Sequence, residues 1–276
     1  MSKKHIGWLA GLFALAACVN ISPEARRQHA DMLAAGHEWQ QLRLPAGKFV
    51  LVAYVPKFIP QSDVLTVYIE GDGLAWLSGS QASDNPTPRN PVGLELALHH
   101  PHGAAAYLAR PCQYVGPRDS RECRQAFWTS QRFAPDVIAA SDQAISMLKQ
   151  RFNAHQLVLV GYSGGGAVAA LVAARRDDVV QLITVAGNLD HRVWTAQHFD
   201  TPLEGSLNPS DQWQSLMDIP QLHFIGMRDE VVSKAVFDAY ASRFPANRRP
   251  VAVSIPGFDH TCCWVEQWST LLSEHH

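Results

Sequence analysis

Four apolar residues, Leu157, Val158, Leu159 and Val160, run straight into Gly161-Tyr162-Ser163-Gly164-Gly165-Gly166 and then into alanine-rich sequence from Ala167 onward. This order reads as buried strand, sharp turn and helix, and it commits the chain to a layered α/β architecture. A serine hydroxyl is a poor nucleophile unless its side chain stands clear of the backbone and meets a base, and a strained turn between strand and helix achieves that. Gly161 and Gly165 lie two positions either side of Ser163, where a Cβ would collide as helix and strand pack. Gly164 then presents its N–H at the first turn of the helix, where an oxyanion would develop. A bare Gly-x-Ser-x-Gly carries little weight, since glycine at ~7 % of residues yields one by chance in roughly one chain in ten of this length. The flanking strand and helix supply the specificity. No Lys-Ser or Lys-Thr follows the glycines, which excludes a Walker loop.

Such a nucleophile needs a base and an acid, and two later strand ends offer them. Residues 221–226, Gln-Leu-His-Phe-Ile-Gly, read as a buried strand emptying into Met227-Arg228-Asp229-Glu230. Residues 251–255 read as a last strand, after which Pro256-Gly257-Phe258-Asp259-His260 places a histidine on a loop ahead of a helix. Serine, acid and histidine at successive strand ends, in that chain order, resemble the α/β-hydrolases over residues 40–276. The resemblance implies an α/β fold with a mostly parallel central sheet of about eight strands, helices on both faces and a short lid insertion. It also implies that Ser163 attacks an acyl carbonyl, that His260 is base and then acid, and that Asp229 orients the imidazole. Asp190 is a rival acid, because some members of the family take it from the end of the sixth strand; Asp229 has the better strand-end context.

Residues 64–69 read as a buried strand that empties into Glu70-Gly71-Asp72-Gly73-Leu74-Ala75-Trp76. In the family the loop after the third strand supplies the second oxyanion donor, often within a His-Gly-x sequence. Aligning Gly71 with that glycine makes the Asp72 N–H the donor, beside that of Gly164. The chain departs from the pattern by placing Glu70 where His is common, with a second acid at Asp72. A carboxylate aimed into an oxyanion hole opposes catalysis, so both side chains are expected to turn away and pair, with Arg89 and Arg110 as candidate partners.

Residues 38–44 and 49–56, split by Pro45-Ala46-Gly47, read as an opening antiparallel hairpin. Pro135 starts a helix whose stripe Val137, Ser141, Ile145, Leu148 and Phe152 follows the 3.6-residue period and leads into the Ser163 strand, as a crossover helix does in a parallel sheet. Residues 187–219, about thirty in all, lie where the family inserts a cap. With Asp190, Arg192, Asp200, Glu204 and Asp211 among its aromatics, the insert is too short and polar for a deep acyl tunnel. A small lid over a pocket for short to medium acyl groups is expected, with Trp76, Trp194 and Trp213 as candidate walls. His99, His100 and His102 have no Cys or carboxylate at a ligand spacing, so neither a metal nor another cofactor is expected.

A chain of 276 residues with 47 % hydrophobic and 17 % charged residues supplies one sizeable core and one domain. A net charge of −2 gives no case for a nucleic-acid partner. The basic start Met1-Ser2-Lys3-Lys4-His5 precedes an apolar run over residues 6–17, too short for a ~30 Å bilayer core and therefore read as a signal peptide. Its ending, Leu15-Ala16-Ala17-Cys18, resembles the lipobox of bacterial lipoproteins, which implies lipidation of Cys18 as the first mature residue. The expected organisation is a signal peptide 1–17, a tether 18–37 with a short helix opened by Ser22-Pro23-Glu24, and a hydrolase domain 38–276. In bacterial lipoproteins an aspartate after the cysteine favours retention in the inner membrane; with Val19 there instead, the resemblance implies, for a Gram-negative source, the outer membrane on its periplasmic side. The expected partners are thus the membrane, through the lipid, and a small acyl substrate.

Cys112, Cys123, Cys262 and Cys263 remain, which allow three pairings. Neighbouring Cα atoms only ~3.8 Å apart disfavour a Cys262–Cys263 bond. Either Cys112 bridges Cys123 locally, or both tie the loop after Pro111 to the His260 loop. The activity expected from all of this is carboxylic ester hydrolysis. A peptidase or amidase with Glu70 or Asp72 holding a substrate amine comes second, and a non-catalytic envelope lipoprotein that keeps the fold as a binding module is the answer of a different class.

Overall fold

The structure is a computed structural model and describes residues 22–275; the apolar run 6–17 and Cys18 lie outside the described residues. Ser22 caps helix α1 (Pro23–Gly36): its Oγ accepts the Ala25 N–H at 3.1 Å, and Pro23 and Glu24 occupy the first turn. This helix, expected as a spacer, is docked on the domain. Arg26, Ala30 and Ala34 form a buried stripe, Arg26 Nη1 donates to Thr87 O at 2.5 Å, and Tyr54 OH donates to Asp31 at 2.7 Å. An arginine and two alanines make a stripe too weakly apolar to stand out in sequence.

The hairpin is built from β1 (Trp39–Ala46) and β2 (Phe49–Pro56). Its turn is Gly47-Lys48, with Gly47 at φ 56°, and Pro45 lies inside β1 opposite Val50. A strand tolerates proline there because β1 is the sheet edge. The chain continues through β3 (Val64–Ile69), α2 (Val92–Leu98), β4 (Ala104–Leu108), α3 (Pro135–Phe152), β5 (Gln156–Tyr162) and α4 (Gly164–Ala173). It then runs through β6 (Val179–Val185), α5 (His191–His198), α6 (Trp213–Leu216), β7 (Gln221–Gly226), α7 (Lys234–Ala241), β8 (Val251–Ile255) and α8 (Trp264–His275).

These strands form one eight-stranded sheet in the order β1-β2-β4-β3-β5-β6-β7-β8, antiparallel at β1–β2 and β2–β4 and parallel elsewhere. The apolar run before Ser163 is explained by burial on both faces: Leu157 and Leu159 join one core cluster, Val158, Val160 and Tyr162 the other. Helices α3 and α4 cover the first face, and the predicted α3 stripe is buried in full; α1, α2 and α8 contribute to the second. The parallel strands β3, β5, β6, β7 and β8 end on one edge of the sheet, which gathers the loops after Ile69, Tyr162, Val185, Gly226 and Ile255.

Cys112 and Cys123 are bonded to each other with Cα atoms 5.7 Å apart, so the loop after Pro111 closes on itself and is not tied to the His260 loop. Cys262 and Cys263 are also bonded, a correction to the expectation. The ~3.8 Å separation assumed above belongs to a trans peptide. Here the peptide is cis and the Cα atoms lie 3.1 Å apart.

Candidate active site

Ser163 stands between β5 and α4 with φ 52° and ψ −122°, a conformation that costs a non-glycine residue about 1–3 kcal/mol and that the surroundings enforce. Its N–H donates to Val185 O at 2.9 Å, while its carbonyl accepts the Gly166 and Asn188 N–H groups at 2.9 and 3.0 Å. The flanking glycines are required sterically: a Cβ on Gly161 would lie 2.3 Å from Gly165 O, and one on Gly165 would lie 2.2 Å from Ile69 O.

The three strand ends meet as a hydrogen-bonded line. His260 Nε2 lies 3.0 Å from Ser163 Oγ, and His260 Nδ1 lies 2.9 Å from Asp229 Oδ2. Asp229 Oδ1 accepts the Val231 and Val232 N–H groups at 2.8 and 2.7 Å, so the carboxylate is fixed by its own loop and only Oδ2 faces the ring. The Asp229 carboxylate accepts a hydrogen bond from Nδ1–H, which fixes the ring proton on Nδ1 and leaves Nε2 free to accept from the serine hydroxyl. The His260 carbonyl accepts Tyr162 OH at 3.0 Å and Trp264 Nε1 at 3.1 Å, which pins the loop. Asp190 faces elsewhere. It caps α5 by accepting the Arg192 N–H at 3.1 Å, and it also accepts Asn208 Nδ2 at 3.0 Å and Ser210 OH at 2.6 Å.

The loop after β3 reaches the nucleophile, since a Cβ on Gly71 would sit 3.3 Å from Ser163 Cβ. Among the described residues, neither the Asp72 nor the Gly164 N–H has a hydrogen-bond partner. The Asp72 side chain lies over Gly164, whose Cβ would come within 2.1 Å of Asp72 Oδ1. It is clamped there by Arg110 Nη1 at 3.1 Å and Arg132 Nη1 at 2.5 Å. Burial would raise the Asp72 carboxyl; the Arg132 and Arg110 guanidiniums outweigh that and hold it below the usual range. Arg110 was among the expected partners and Arg132 was not, since a loop between two aromatic segments gives no sign of where its arginine folds.

Glu70 corrects the expectation that it pairs with an arginine. Its Oε1 accepts the Gly71 and Gly93 N–H groups at 2.9 and 3.1 Å, and its Oε2 accepts Tyr107 OH at 3.0 Å and the Leu94 N–H at 3.4 Å, so the carboxyl is held by backbone at the start of α2. Burial pushes it up to about 7 against the pull of those four donors. Folded Glu70 therefore holds its proton more tightly than unfolded Glu70. The stability it contributes is complete below the ordinary value of 4.5 and is lost as pH rises to about 7. At most about 3 kcal/mol is involved. Denaturant melts of Glu70→Gln are expected to show lower stability, because an amide NH₂ cannot accept the Leu94 N–H, and a flatter pH dependence across that interval. A variant that loses stability with pH as steeply as the parent would refute the assignment to Glu70.

A cavity of about 400 Å³ opens above Ser163 and His260 and is lined by Trp76, Trp194, Asn188 and Arg132. Trp213, expected as a third wall, is not part of it. It stacks edge-on against Phe244 at 6.2 Å and packs on the core, because the insert folds back before that point. Asn188 is a site residue that sequence reading missed: its side chain is 2 % exposed, and its Oδ1 has no partner among the described residues. Its position just past the end of a strand next to the nucleophile's was the available signal.

No family model and no curated relative matches the sequence. Solved structures do. Est1E from Butyrivibrio proteoclasticus is 16 % identical with a TM-score of 0.59, covering 85 % of this chain and 96 % of its own. An esterase of Pyrococcus furiosus is 12 % identical with a TM-score of 0.58, covering 86 % and 89 %. A serine hydrolase without a lid from Xanthomonas campestris is 16 % identical with a TM-score of 0.54, covering 86 % and 93 %. The chain has the α/β-hydrolase fold.

Proposed function

We propose that this chain of α/β-hydrolase fold is a serine hydrolase that cleaves carboxylic esters of short to medium acyl groups. One observation carries the reading: the unbroken line from Ser163 Oγ through His260 to a buried Asp229 carboxylate. His260 takes the serine proton as Oγ attacks the acyl carbon, and the Asp72 and Gly164 N–H groups receive the oxyanion. The imidazolium, held by Asp229, returns the proton to the leaving alcohol, and water then repeats the sequence on the acyl-enzyme. A peptidase reading would need Glu70 or Asp72 to hold an amine. Glu70 is enclosed by four donors and Asp72 is already paired with two arginines, which favours the ester.

Aryl esters of rising acyl length test the pocket. The cavity of about 400 Å³ above Ser163 is rimmed by Trp76, Trp194 and Arg132. Each further methylene, worth ~0.8 kcal/mol when buried, gains only while this volume can hold it. We expect kcat/KM to peak at short to medium chains. A monotonic rise to long chains would contradict the pocket reading, and cleavage of peptide amides without esterase activity would promote the peptidase.

The same proposal places the mature protein on the bacterial envelope, most simply the periplasmic side of the outer membrane, through a lipid on Cys18. Leu15-Ala16-Ala17-Cys18 motivates it. Mass spectrometry of the mature N-terminus should find acylated Cys18, and Cys18→Ser should release the protein from membranes. An unmodified residue 18 in the exported protein rules it out.

A further inference from the structure

The cavity above Ser163 continues past Trp76, Arg132 and Trp194 into a second cavity of about 570 Å³, which those three residues also line. The Trp194 indole is held from behind. Trp194 Nε1 donates to Val231 O at 2.8 Å, and the Arg132 guanidinium carbon lies 5.3 Å from the Trp194 ring. Trp76 pairs with Ala82 across a short bridge and remains 43 % exposed. The far rim of the second cavity is polar, with Ser78, Ser130, Thr201 and Asp200. On the opposite side, next to Ser163, the buried Asn188 amide carries an unpartnered oxygen.

A hydrocarbon chain laid across the cleft would cover the Ser130 and Thr201 hydroxyls, the Asp200 carboxylate and the Asn188 amide oxygen without pairing them, which is unfavourable for every such group it buries. A pyranose ring presents a flat C–H face to an indole and a circumference of hydroxyls to polar neighbours, and it meets both demands. Resting on the hydrolase reading above, we infer that the alcohol half of the substrate is a neutral oligosaccharide, seated across Trp76 and Trp194 with its ester at Ser163. The chemistry balances as an ordinary ester cleavage. Ser163 Oγ bonds to the acyl carbon, the bond from that carbon to the sugar oxygen breaks, and His260 hands the serine proton to that oxygen. Water then releases the acid.

Ser163→Ala in the full-length protein, titrated with xylotriose, cellotriose and triacetylchitotriose, tests the cleft by indole fluorescence and calorimetry. At least one trisaccharide should bind saturably, and the same sugar should inhibit 4-nitrophenyl acetate hydrolysis by the parent protein competitively. Thr201→Trp, which fills the second cavity from an exposed position, and Trp76→Ala should each weaken that binding about tenfold. The inference is overturned if none of the three binds up to roughly 50 mM. Binding that neither substitution moves also overturns it, as does competition by a peptide where the sugars give none. Fluorophosphonate labelling of the parent protein separates the two readings. Protein that is labelled but blind to all three sugars refutes the sugar cleft alone, whereas sugar binding without labelling upholds the cleft and refutes the hydrolase.

Discussion

Ser163→Ala is expected to fold as the parent does and to lower kcat on 4-nitrophenyl acetate by about 10⁴-fold or more. The substitution removes one oxygen whose one partner among the described residues is His260 Nε2, and it leaves the His260–Asp229 bond and the backbone contacts of residue 163 in place. No buried polar atom loses its sole partner inside the core, so thermal melting should move little. Alanine accepts the φ of 52° no better and no worse than serine. Whatever rate survives would come from the two free N–H groups and from binding, as is general when a nucleophile is removed from an intact site. A loss of activity accompanied by unfolding would say nothing about nucleophilicity, which is why the melt is measured beside the rate. Turnover retained in a folded variant would move the chemistry away from the β5–α4 turn.

Asp229→Asn should cost a similar factor, about 10⁴ in kcat, through the tautomer rather than through any lost bond. The Val231 and Val232 N–H groups bind Oδ1 and would hold the amide oxygen, which directs the NH₂ of the new side chain at His260 Nδ1. Nδ1 must then accept, the ring proton moves to Nε2, and the atom facing Ser163 Oγ becomes a donor that cannot take the serine proton. Asp190→Asn is the matched control. Its oxygens serve the start of α5, Asn208 and Ser210, and none of its bonds reaches His260. Kinetics of the two variants on one aryl ester, with melts, should show the first slow and stable, the second near parent rate and somewhat less stable. The reverse ranking would transfer the acid to the end of β6.

The order of elements and the meeting of Ser163, Asp229 and His260 were legible in the sequence because each depends on local signals. A strand buried on both faces must read as unbroken apolar sequence, as Leu157 to Val160 do, and Gly161 and Gly165 announce a close approach that only hydrogen permits. What was hidden depends on long-range pairing. Arg132 meets Asp72 across sixty positions, Glu70 binds backbone N–H groups at the start of α2 and Tyr107 OH, and Trp213 turns from the cleft to Phe244. Composition places a tryptophan in an insert; only the path of the insert decides which cavity it lines. The α1 stripe was missed for a different reason, because alanine packs close to a sheet without advertising it by hydropathy.

Intact-mass and peptide mass spectrometry after treatment with a fluorophosphonate test the proposed serine nucleophile most directly. The reagent mimics the tetrahedral acyl intermediate and reacts only with a serine whose proton is being taken by a base beside an oxyanion hole. We predict one adduct per chain, on the peptide containing Gly161-Tyr162-Ser163-Gly164, absent from Ser163→Ala and suppressed in Asp229→Asn. An unlabelled parent protein, or an adduct on any residue other than Ser163, would contradict the assignment.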